Sequence, residues 1–364
     1  MTRVAFLLEQ CLAPIPGGTA RYSRELARAL AATAPTGSSV DGWTALHASA
    51  AAAVVPGVGG PHRLPLGRRP LIAAWERGVG PVPRGDLVHA PTLLAPPSRG
   101  RPLVVTIHDA VPWTHPETLT QRGVAWHRRM GLRVATSADL VIVPTAAVAD
   151  ELASFLDLGD RVRVVFEGAD TLAVPADAAA RRARLGVPER YLFSFATLEP
   201  RKGLDLVLAA LAEREAPDLP LLVAGQPGWG GVDLDGTAAS LGLARDRVRA
   251  LGWLGDEDLA AVLENAVAVV SPSRAEGFGL PVVEAMALGA PVVCSDAPAL
   301  VEVTGGAALT VPVEDVLGLA EALRAVASDE ALRARLAAAG RERAAGMTWA
   351  TAAEQTWQVY AELR

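Results

Sequence analysis

Two adjacent cations, Arg201 and Lys202, are the clearest indication of chemistry in the sequence. Lys202 is the single lysine among the 34 basic Lys and Arg residues of the chain. The pair lies in a turn, residues 197–203, between an apolar run and the helical pattern Leu204–Ala212. At a strand-to-helix turn of this kind, backbone N–H groups and the helix dipole favour anions. The turn therefore predicts a phosphate site, and the structural alternative is a solvated Arg-Lys pair that caps the turn.

A second segment with functional residue types begins at Glu276 and continues through two loop glycines into an apolar helical pattern. Pro281 suits the first turn of a helix, and Gly289 suits its C-terminal stop. The loop glycines let backbone N–H groups approach a ligand at the helix start. We expect Glu276 on the loop and Glu284 on the first turn, both facing a cleft. A surface helix with capping glutamates is the alternative.

These segments belong to a regular alternation of short apolar runs and helical patterns. Such an alternation predicts parallel sheets with helices on both faces, so the fold class is α/β with two doubly wound, Rossmann-like domains. Ligands of open sheets of this kind bind at the carboxyl ends of the strands. The predicted strands are 4–8, 87–89, 103–107, 140–143, 162–166, 191–196, 219–224, 248–251, 268–271, 291–295 and 308–311.

The remaining segments are predicted from their glycine, proline and alanine content. Proline and glycine cluster in residues 55–84 and 91–102, which predicts long loops. Residues 167–190, which contain the Ala/Arg-rich piece Ala178–Arg184, are predicted to be an interdomain linker.

Composition excludes several classes of protein. The chain has 364 residues, of which 51% are hydrophobic and 20% charged, which is too apolar for a disordered protein and too long for one small domain. Two distant cysteines, Cys11 and Cys294, offer neither a disulfide framework nor a metal-ligand spacing. No apolar stretch is long enough for a membrane span, and the N-terminal apolar run is too short for a signal peptide. The sequence therefore predicts a cytoplasmic protein.

The motifs taken together resemble a known enzyme family. Gly17-Gly18, the turn from Glu199 to Gly203, the two glutamates separated by seven residues, and Gly289-Ala290-Pro291-Val292-Val293 look like those of retaining GT-B glycosyltransferases of family four. Met347-Thr348-Trp349 and the amphipathic segment after it are similar to that family's final helix. The resemblance implies a GT-B fold, in which two Rossmann-like domains face a cleft. Residues 1–170 would bind the acceptor, residues 171–345 the nucleotide sugar, and the helix in residues 346–364 would pack back on the N-terminal domain.

The resemblance also implies roles for individual residues. Lys202 and Arg201 would neutralise the diphosphate leaving group, Glu276 would face the donor sugar, and Glu284 would bind the ribose hydroxyls. His108 resembles the active-site histidine near the transferred sugar, although a lone histidine at a strand end is often structural. The catalytic residues would then be Glu276, His108 and Lys202. The implied donor-binding residues are Gly17, Gly18, Arg201, Lys202, Trp253, Leu254, Gly277, Phe278, Gly279, Leu280 and Glu284.

One position departs from the family pattern, because many relatives carry an arginine where this chain has Ala196. We expect Arg201 to replace it at the second phosphate. The family mechanism is a front-face displacement that needs charge stabilisation and positioning, so no metal or other cofactor is expected. Asp233-Leu234-Asp235 resembles a metal-binding Asp-x-Asp motif, but it lies in a glycine-rich loop without the rest of that context.

The resemblance suggests the donor, and the charge distribution suggests how the acceptor binds. GDP-mannose is the first expectation for the donor, and a UDP- or dTDP-sugar is the second. Net charge is −6, but residues 1–165 carry +5 and the remainder −11. The basic half is expected to bind a glycan or lipid-linked acceptor, with peripheral association with the anionic inner face of the cell membrane, and no nucleic-acid motif is present. The residues expected at that surface are Arg68, Arg69, Leu71, Ile72, Trp75, Trp126, Arg128, Arg129, Met130 and Arg133.

Two other classes of function stay open at this point. A catalytically silent GT-B subunit could bind nucleotide sugar or activate a partner, although the intact Lys202, Glu276 and Glu284 argue against it. Two doubly wound domains would also permit a dinucleotide-dependent oxidoreductase. The glycine-rich fingerprint of that class is missing after the first strand, where residues 9–14 read Glu-Gln-Cys-Leu-Ala-Pro.

Overall fold

A computed structural model describes residues 2–14, 17–170 and 172–363 of the chain. The chain divides into two units, each with its own parallel sheet. Unit 1 consists of Met1–Gly168 and Thr348–Arg364, and unit 2 of Ala169–Met347. Among the helices of the described residues, none combines the length and hydropathy that a membrane crossing requires.

The sheet of unit 1 has seven strands in the order β3-β2-β1-β4-β5-β6-β7, and all neighbouring strands are parallel. Four-residue strands such as β4 and β5 are buried along their whole length, as expected where helices cover both faces of a sheet. The strands are β1 (Arg3–Leu7), β2 (Ser39–Leu46), β3 (Gly59–Gly67), β4 (Leu87–Ala90), β5 (Leu103–Thr106), β6 (Leu140–Val143) and β7 (Val162–Val164). The helices are α1 (Gly17–Ala32), α2 (Arg68–Glu76), α3 (Val111–Thr114), α4 (Gln121–Ser137), α5 (Ala146–Ala153) and, from the end of the chain, α14 (Trp349–Ala361).

The sequence prediction did not include the strands β2 and β3 or the helix α2 of unit 1. The prediction of a long loop over residues 55–84 is wrong, because β3 and α2 lie within it. β3 is an edge strand, and an edge position tolerates the prolines that suggested a loop. β2 was not predicted either, because Asp41, Gly42 and Thr44 interrupt its apolar residues.

The sheet of unit 2 has six parallel strands in the order β10-β9-β8-β11-β12-β13. All six strands predicted for this half are present, with ends within two residues of those predicted. The strands are β8 (Leu192–Phe195), β9 (Leu221–Ala224), β10 (Val248–Gly252), β11 (Ala268–Ser271), β12 (Val292–Ser295) and β13 (Leu309–Val311). The helices are α6 (Ala178–Arg184), α7 (Leu204–Ala212), α8 (Leu234–Ser240), α9 (Asp256–Glu264), α10 (Leu280–Leu288), α11 (Pro298–Thr304), α12 (Val316–Ser328) and α13 (Glu330–Ala344).

The segment predicted as a linker is largely a structured part of unit 2. α6 packs against α9, and Arg181 forms ion pairs with Asp177, Glu257 and Asp258. The alternation of alanine and arginine that suggested a linker therefore belongs to a surface helix, whose arginines reach carboxylates of the neighbouring helix.

The last helix, α14, belongs to unit 1 and packs against α1. The indole Nε1 of Trp357 donates a hydrogen bond to the carbonyl oxygen of Leu30 at 3.1 Å. The hydroxyl of Tyr360 lies 2.6 Å from Nδ1 of His89, which is itself fully buried. The final residues are thus fixed by buried polar contacts as well as by apolar packing.

Each sheet reverses its strand order at one point. In unit 1 the chain winds outward from β1 to β3 on one side and from β4 to β7 on the other, so the reversal lies between β1 and β4. In unit 2 the reversal lies between β8 and β11. The loops that follow the two strands at such a point diverge and leave a crevice at the carboxyl edge, where ligands of this fold class bind. The α/β class predicted from the sequence is confirmed.

Candidate functional site

In unit 2, the loops that follow β8 and β11 bring the two predicted cations to one carboxylate. Nζ of Lys202 donates a hydrogen bond to Oε1 of Glu276 at 2.5 Å, and Nη1 of Arg201 donates to Oε2 at 3.0 Å. The hydroxyl of Ser273 donates to Oε1 of the same carboxylate at 2.7 Å. All three charged side chains are mostly buried, with at most 17% exposed. The residues singled out by type in the sequence therefore form one compact cluster.

The backbone of the turn is held close to the loop after β11. Residues 200–202 form a 3-10 helix, and Gly203 follows in the left-handed conformation with φ of 65°. A Cβ atom at Gly203 would clash with the carbonyl oxygen of Pro272, so this position requires glycine. The backbone N–H of Arg274 donates to the carbonyl oxygen of Arg201 at 2.8 Å. The loop and the turn are therefore joined directly through their backbones.

The side chain of Arg274 reinforces the same junction, and the sequence prediction did not include it. It donates to the carbonyl oxygen of Pro200 at 2.8 Å and binds the carboxylate of Asp205 through two hydrogen bonds, of 2.9 and 2.7 Å. Its Nε donates to Glu314 at 2.9 Å. Bidentate arginine–carboxylate pairs fix geometry as well as charge. Arg274 thus holds the turn, the start of α7 and the segment after β13 together.

The cluster has a strong electrostatic effect on its own members. Burial raises the pKa of Glu276, but the charges of Lys202 and Arg201 outweigh it and lower that pKa to about 2. Burial, followed by the charge of Arg201, lowers the pKa of Lys202, and Glu276 opposes that shift. The carboxylate is therefore ionised, and it stabilises the charged form of the ammonium that lies beside it.

A glycine-rich loop after β9 lies against the first half of the turn. The backbone N–H of Leu198 donates to the carbonyl oxygen of Gln226 at 3.0 Å, and that of Gly228 donates to the carbonyl oxygen of Leu198 at 3.1 Å. A Cβ atom at Gly225 would collide with the carbonyl oxygen of Ala196. Ala196, the position that departs from the family pattern, thus has its backbone covered by this loop.

The Asp-x-Asp sequence in the same loop has a structural explanation. The carboxylate of Asp233 accepts a hydrogen bond from the backbone N–H of Gly236 at 2.9 Å and caps the start of α8. Among residues 2–14, 17–170 and 172–363, no group of three or more His, Cys, Asp or Glu residues is arranged to hold a metal ion.

Helix α10 begins at Leu280, the last residue of the predicted Gly277–Leu280 segment, as the sequence indicated. Pro281 lies in its first turn, and the helix ends before Gly289. Glu284 is the fifth residue of α10, so it opens the second turn instead of lying on the first, and it is only 3% exposed. Phe278 is buried in the preceding loop.

Trp253 and Leu254, two of the predicted donor-binding residues, follow β10, the strand at one edge of the sheet. Trp253 comes directly after that strand and is 69% exposed, and Leu254 is half-buried. The carbonyl oxygen of Gly252 accepts a hydrogen bond from the backbone N–H of Gly225 at 2.8 Å, which joins this segment to the glycine-rich loop. The ends of β10, β9, β8 and β11 therefore present the predicted residues of unit 2 along one sheet edge.

In unit 1, His108 follows β5 and is held by two acceptors. Its Nε2 lies 2.8 Å from the carbonyl oxygen of Pro91, and its Nδ1 lies 3.1 Å from Oε1 of Glu167. A carbonyl and an ionised carboxylate can only accept, so this geometry favours a doubly protonated, cationic imidazole. Burial lowers the pKa of His108, but the Glu167 carboxylate, the carbonyl oxygen of Pro91 and the charge of Asp109 together outweigh it, and the pKa is raised. His108 is thus a hydrogen-bond donor and not a base.

Glu167 was missed because it lies in the segment predicted as a linker. The only signal in the sequence was its place one residue after the predicted strand 162–166, at the carboxyl edge where ligands bind. Arg274 was missed for a related reason, because its contacts join loops that are about 70 residues apart in the chain. Ser273 was missed although its contact is local, since it lies only three residues before Glu276.

The other predicted residues of unit 1 lie at the start of α1. Gly17 opens that helix, and Gly18 follows it, with both residues exposed. Further along α1, Tyr22 packs edge-on against the ring of His108, with centroids 4.6 Å apart. The hydroxyl of Tyr22 lies 3.1 Å from that of Thr106, which also contacts Nε2 of buried His89.

A pocket of about 650 Å³, here called the unit 1 pocket, opens at the carboxyl edge of this sheet. The loops after β1 and β4, on either side of the strand-order reversal, contribute Gln10 and residues 92–94. His108 and Asp109 form another part of the wall. The pocket thus lies where this fold class binds ligands.

Several residues predicted at a membrane surface are instead part of the core. Leu71, Trp75 and Met130 are at most 1% exposed, so the prediction that they contact a membrane is wrong. Their spacing on α2 and α4 places them on the face that packs on the sheet, since apolar residues three and four positions apart share one side of a helix. The arginines Arg69, Arg128 and Arg129 on the same helices are exposed.

The fold and the two sheet edges define the class of protein, an α/β chain of GT-B architecture. The crystal structure of Anabaena Alr3699/HepE in complex with UDP and glucose aligns with a TM-score of 0.78 over 100% of both chains at 22% sequence identity, a likeness of fold. The family described as Glycosyltransferase Family 4 matches residues 16–172, and Glycosyl transferases group 1 matches residues 177–343.

Relatives of known name agree with these matches. The MMP alpha-(1->4)-mannosyltransferase of Mycolicibacterium hassiacum is 33% identical over 316 residues, which cover 80% of this chain and 73% of that protein. The D-inositol 3-phosphate glycosyltransferase of a Nocardioides species is 35% identical over 254 residues, 64% of this chain. That match spans only 55% of the Nocardioides protein. The chain belongs to glycosyltransferase family four, as its motifs suggested.

Proposed function

We propose that this protein is a retaining, metal-independent hexosyltransferase that moves a sugar from a nucleoside diphosphate sugar to a glycan or lipid-linked acceptor. Such a reaction belongs to polysaccharide or glycoconjugate synthesis. In this proposal, unit 2 binds the donor and unit 1 binds the acceptor. The bond between the anomeric carbon and the diphosphate breaks, the acceptor hydroxyl forms the new bond on the same face, and its proton leaves with the diphosphate.

The observation that carries the proposal is the buried cluster of Arg201, Lys202 and Glu276 at the strand-order reversal of unit 2. Two cations held beside a helix start can stabilise a departing diphosphate, whose charge grows in the transition state. In the free protein Glu276 neutralises part of their charge. When the diphosphate binds, it replaces Glu276 as the partner of Lys202, which frees this carboxylate to face the donor sugar.

The other site residues take supporting roles in the same proposal. The loop from Gly277 to Leu280 would bind sugar hydroxyls and phosphate through its backbone, and Glu284 would bind the ribose. Trp253 and Leu254 would lie beside the base. Cationic His108 would lie near the transferred sugar and contribute its charge there. The contribution of Gly17 and Gly18 to diphosphate binding stays a prediction.

GDP-mannose is the proposed donor, with a UDP- or dTDP-sugar as the second choice. The name of the Mycolicibacterium relative, a mannosyltransferase, supports mannose. Thermal unfolding in the presence of GDP and of UDP tests the choice, because a ligand that binds only the native state raises the melting temperature. We expect a larger increase with GDP. No increase with any nucleoside diphosphate would contradict the proposed function.

We also propose that the protein is cytoplasmic and associates peripherally with the inner face of the cell membrane. With Leu71, Trp75 and Met130 buried, only the exposed arginines of α2 and α4 support it, through attraction to anionic lipid. Cosedimentation with anionic vesicles tests this step, and absence of binding at low salt would remove it. The alternative function, a catalytically silent subunit that binds nucleotide sugar, predicts nucleotide binding without turnover.

A further inference from the structure

The unit 1 pocket is rich in arginine. Arg68, Arg122 and Arg129 all line it, whereas Glu76 and Asp109 are the carboxylates in its wall. Arg129 lies 3.7 Å from Glu76, and Arg68 lies 3.6 Å from a carboxylate outside the wall, that of Glu9. His108 also lines the pocket, but it is paired with the carboxylate of Glu167 at 3.1 Å. The wall therefore carries more positive than negative charge.

Arg122 differs from the other two arginines. Within the described part of the chain no carboxylate lies at ion-pair distance from it, although it lines the same pocket. An exposed guanidinium without a counter-ion has its donor groups available to a bound anion. Its planar set of donors suits the oxygen atoms of a phosphate group.

Arg122 lies in the first turn of the 17-residue helix α4, whose N-terminus adds partial positive charge. Thr120, which caps this helix by accepting a hydrogen bond from the backbone N–H of Gly123, also lines the pocket, as does Gly123. Trp126, one turn further, also lines the pocket.

We propose that the unit 1 pocket recognises an acceptor that carries a phosphate group next to the hydroxyl to be glycosylated. Arg122 binds the phosphate, and Arg129 and Arg68 supply further positive charge. The inference rests on the proposed function and adds the chemical class of the acceptor. A soluble phosphorylated sugar or polyol and a lipid-linked phosphate share this chemistry.

The test measures binding by calorimetry with the full chain saturated with GDP, so that the diphosphate site is occupied. Inositol phosphate, mannose 6-phosphate and glycerol 3-phosphate are each compared with their dephosphorylated parents. Vesicles that contain phosphatidylinositol are compared with uncharged vesicles as the lipid source. We expect at least one phosphorylated probe to bind at least tenfold more tightly than its parent. If a soluble phosphorylated probe is preferred, the acceptor is a free phosphate ester. If only the phosphatidylinositol vesicles are preferred, the acceptor is a lipid phosphate.

Two charge-reversal variants make the test specific. Arg122→Glu should lose the preference for phosphate, whereas Arg84→Glu should keep it. Arg84 is an exposed arginine of the same unit that lies outside this pocket and has no ion pair in the described residues. Equal binding of phosphorylated and parent probes, no binding of any phosphorylated probe, or an unchanged preference in Arg122→Glu would each overturn the inference. The binding of GDP, which is measured in the same titrations, tests the proposed function separately from the preference for phosphate.

Discussion

Nζ of Lys202 lies 2.5 Å from Oε1 of Glu276, across two loops whose residues are more than 70 positions apart in the chain. The pair joins the two residues that the sequence predicted for the diphosphate and for the donor sugar. It also means that Lys202 is paired with a carboxylate in the free protein, so in the proposed function donor binding exchanges one partner of Lys202 for another. The first two predictions depend on this exchange.

Lys202→Ala should lower the rate of sugar transfer by about 10²–10³-fold, the range found when a group that stabilises transition-state charge is removed. The rate of nucleoside diphosphate release in the presence of acceptor measures this. Circular dichroism and thermal unfolding serve as the folding control. Turnover near that of the unmodified protein would contradict the assignment of Lys202 to the leaving group.

Glu276→Gln should weaken transfer but tighten the binding of free GDP at pH 7. Removing the carboxylate takes away the internal counter-ion of Lys202 and Arg201, so an incoming diphosphate no longer competes with it. Calorimetry measures the dissociation constant, and product assays measure the transfer rate. Weaker GDP binding by the variant would show that Glu276 does not compete with the diphosphate.

Transfer should persist in excess EDTA, because the cations of the turn supply the charge that a divalent ion provides in other glycosyltransferases. The assay compares initial rates with and without chelator and after addition of Mg²⁺ or Mn²⁺. Complete loss on chelation and recovery with either ion would contradict metal independence.

Glu167→Gln should shift the pH profile of transfer. The carboxylate of Glu167 contributes to raising the pKa of His108 against the effect of burial, so that pKa should be lower in the variant. If the cationic form is active, activity should fall at a lower pH in the variant than in the unmodified protein. Nuclear magnetic resonance of the His108 ring reports its pKa directly. Glu117→Gln, at an exposed glutamate of unit 1, is the control, and an equal shift there would refute the role of Glu167.

Stability should decrease as the pH falls below 6.5. Burial lowers the pKa of His89 to about 3, so the unfolded chain binds a proton between pH 6.5 and 3 that the folded protein does not. For this residue alone the free energy of unfolding should fall by about 1.5 kcal/mol between pH 6.5 and 5. The pKa of His108 is raised in the folded protein, so its contribution to the free energy of unfolding changes mainly above pH 6.5. Urea denaturation at both pH values measures the change, and a His89→Gln variant with the same slope would exclude His89 as its source.

The sequence predicted unit 2 better than unit 1, for a physical reason. Strands such as Leu221–Ala224 are buried on both faces and are continuous apolar runs, so their pattern alone identifies them. The edge strand Gly59–Gly67 contains two prolines and few buried residues, and local pattern could not distinguish it from a loop.

The site shows the same division between local and long-range information. Residue types and spacing marked Arg201, Lys202 and Glu276, since a lone lysine on a strand-to-helix turn and a glutamate before a glycine loop are local features. The ion pairs of these residues depend on which strands are neighbours in each sheet. The same is true of the contacts that Arg274 makes and of the hydrogen bond between His108 and Glu167. That order is set by packing over the whole chain, which no short segment encodes. The sequence thus determined which residues carry the charge, and the tertiary structure decided which charges meet.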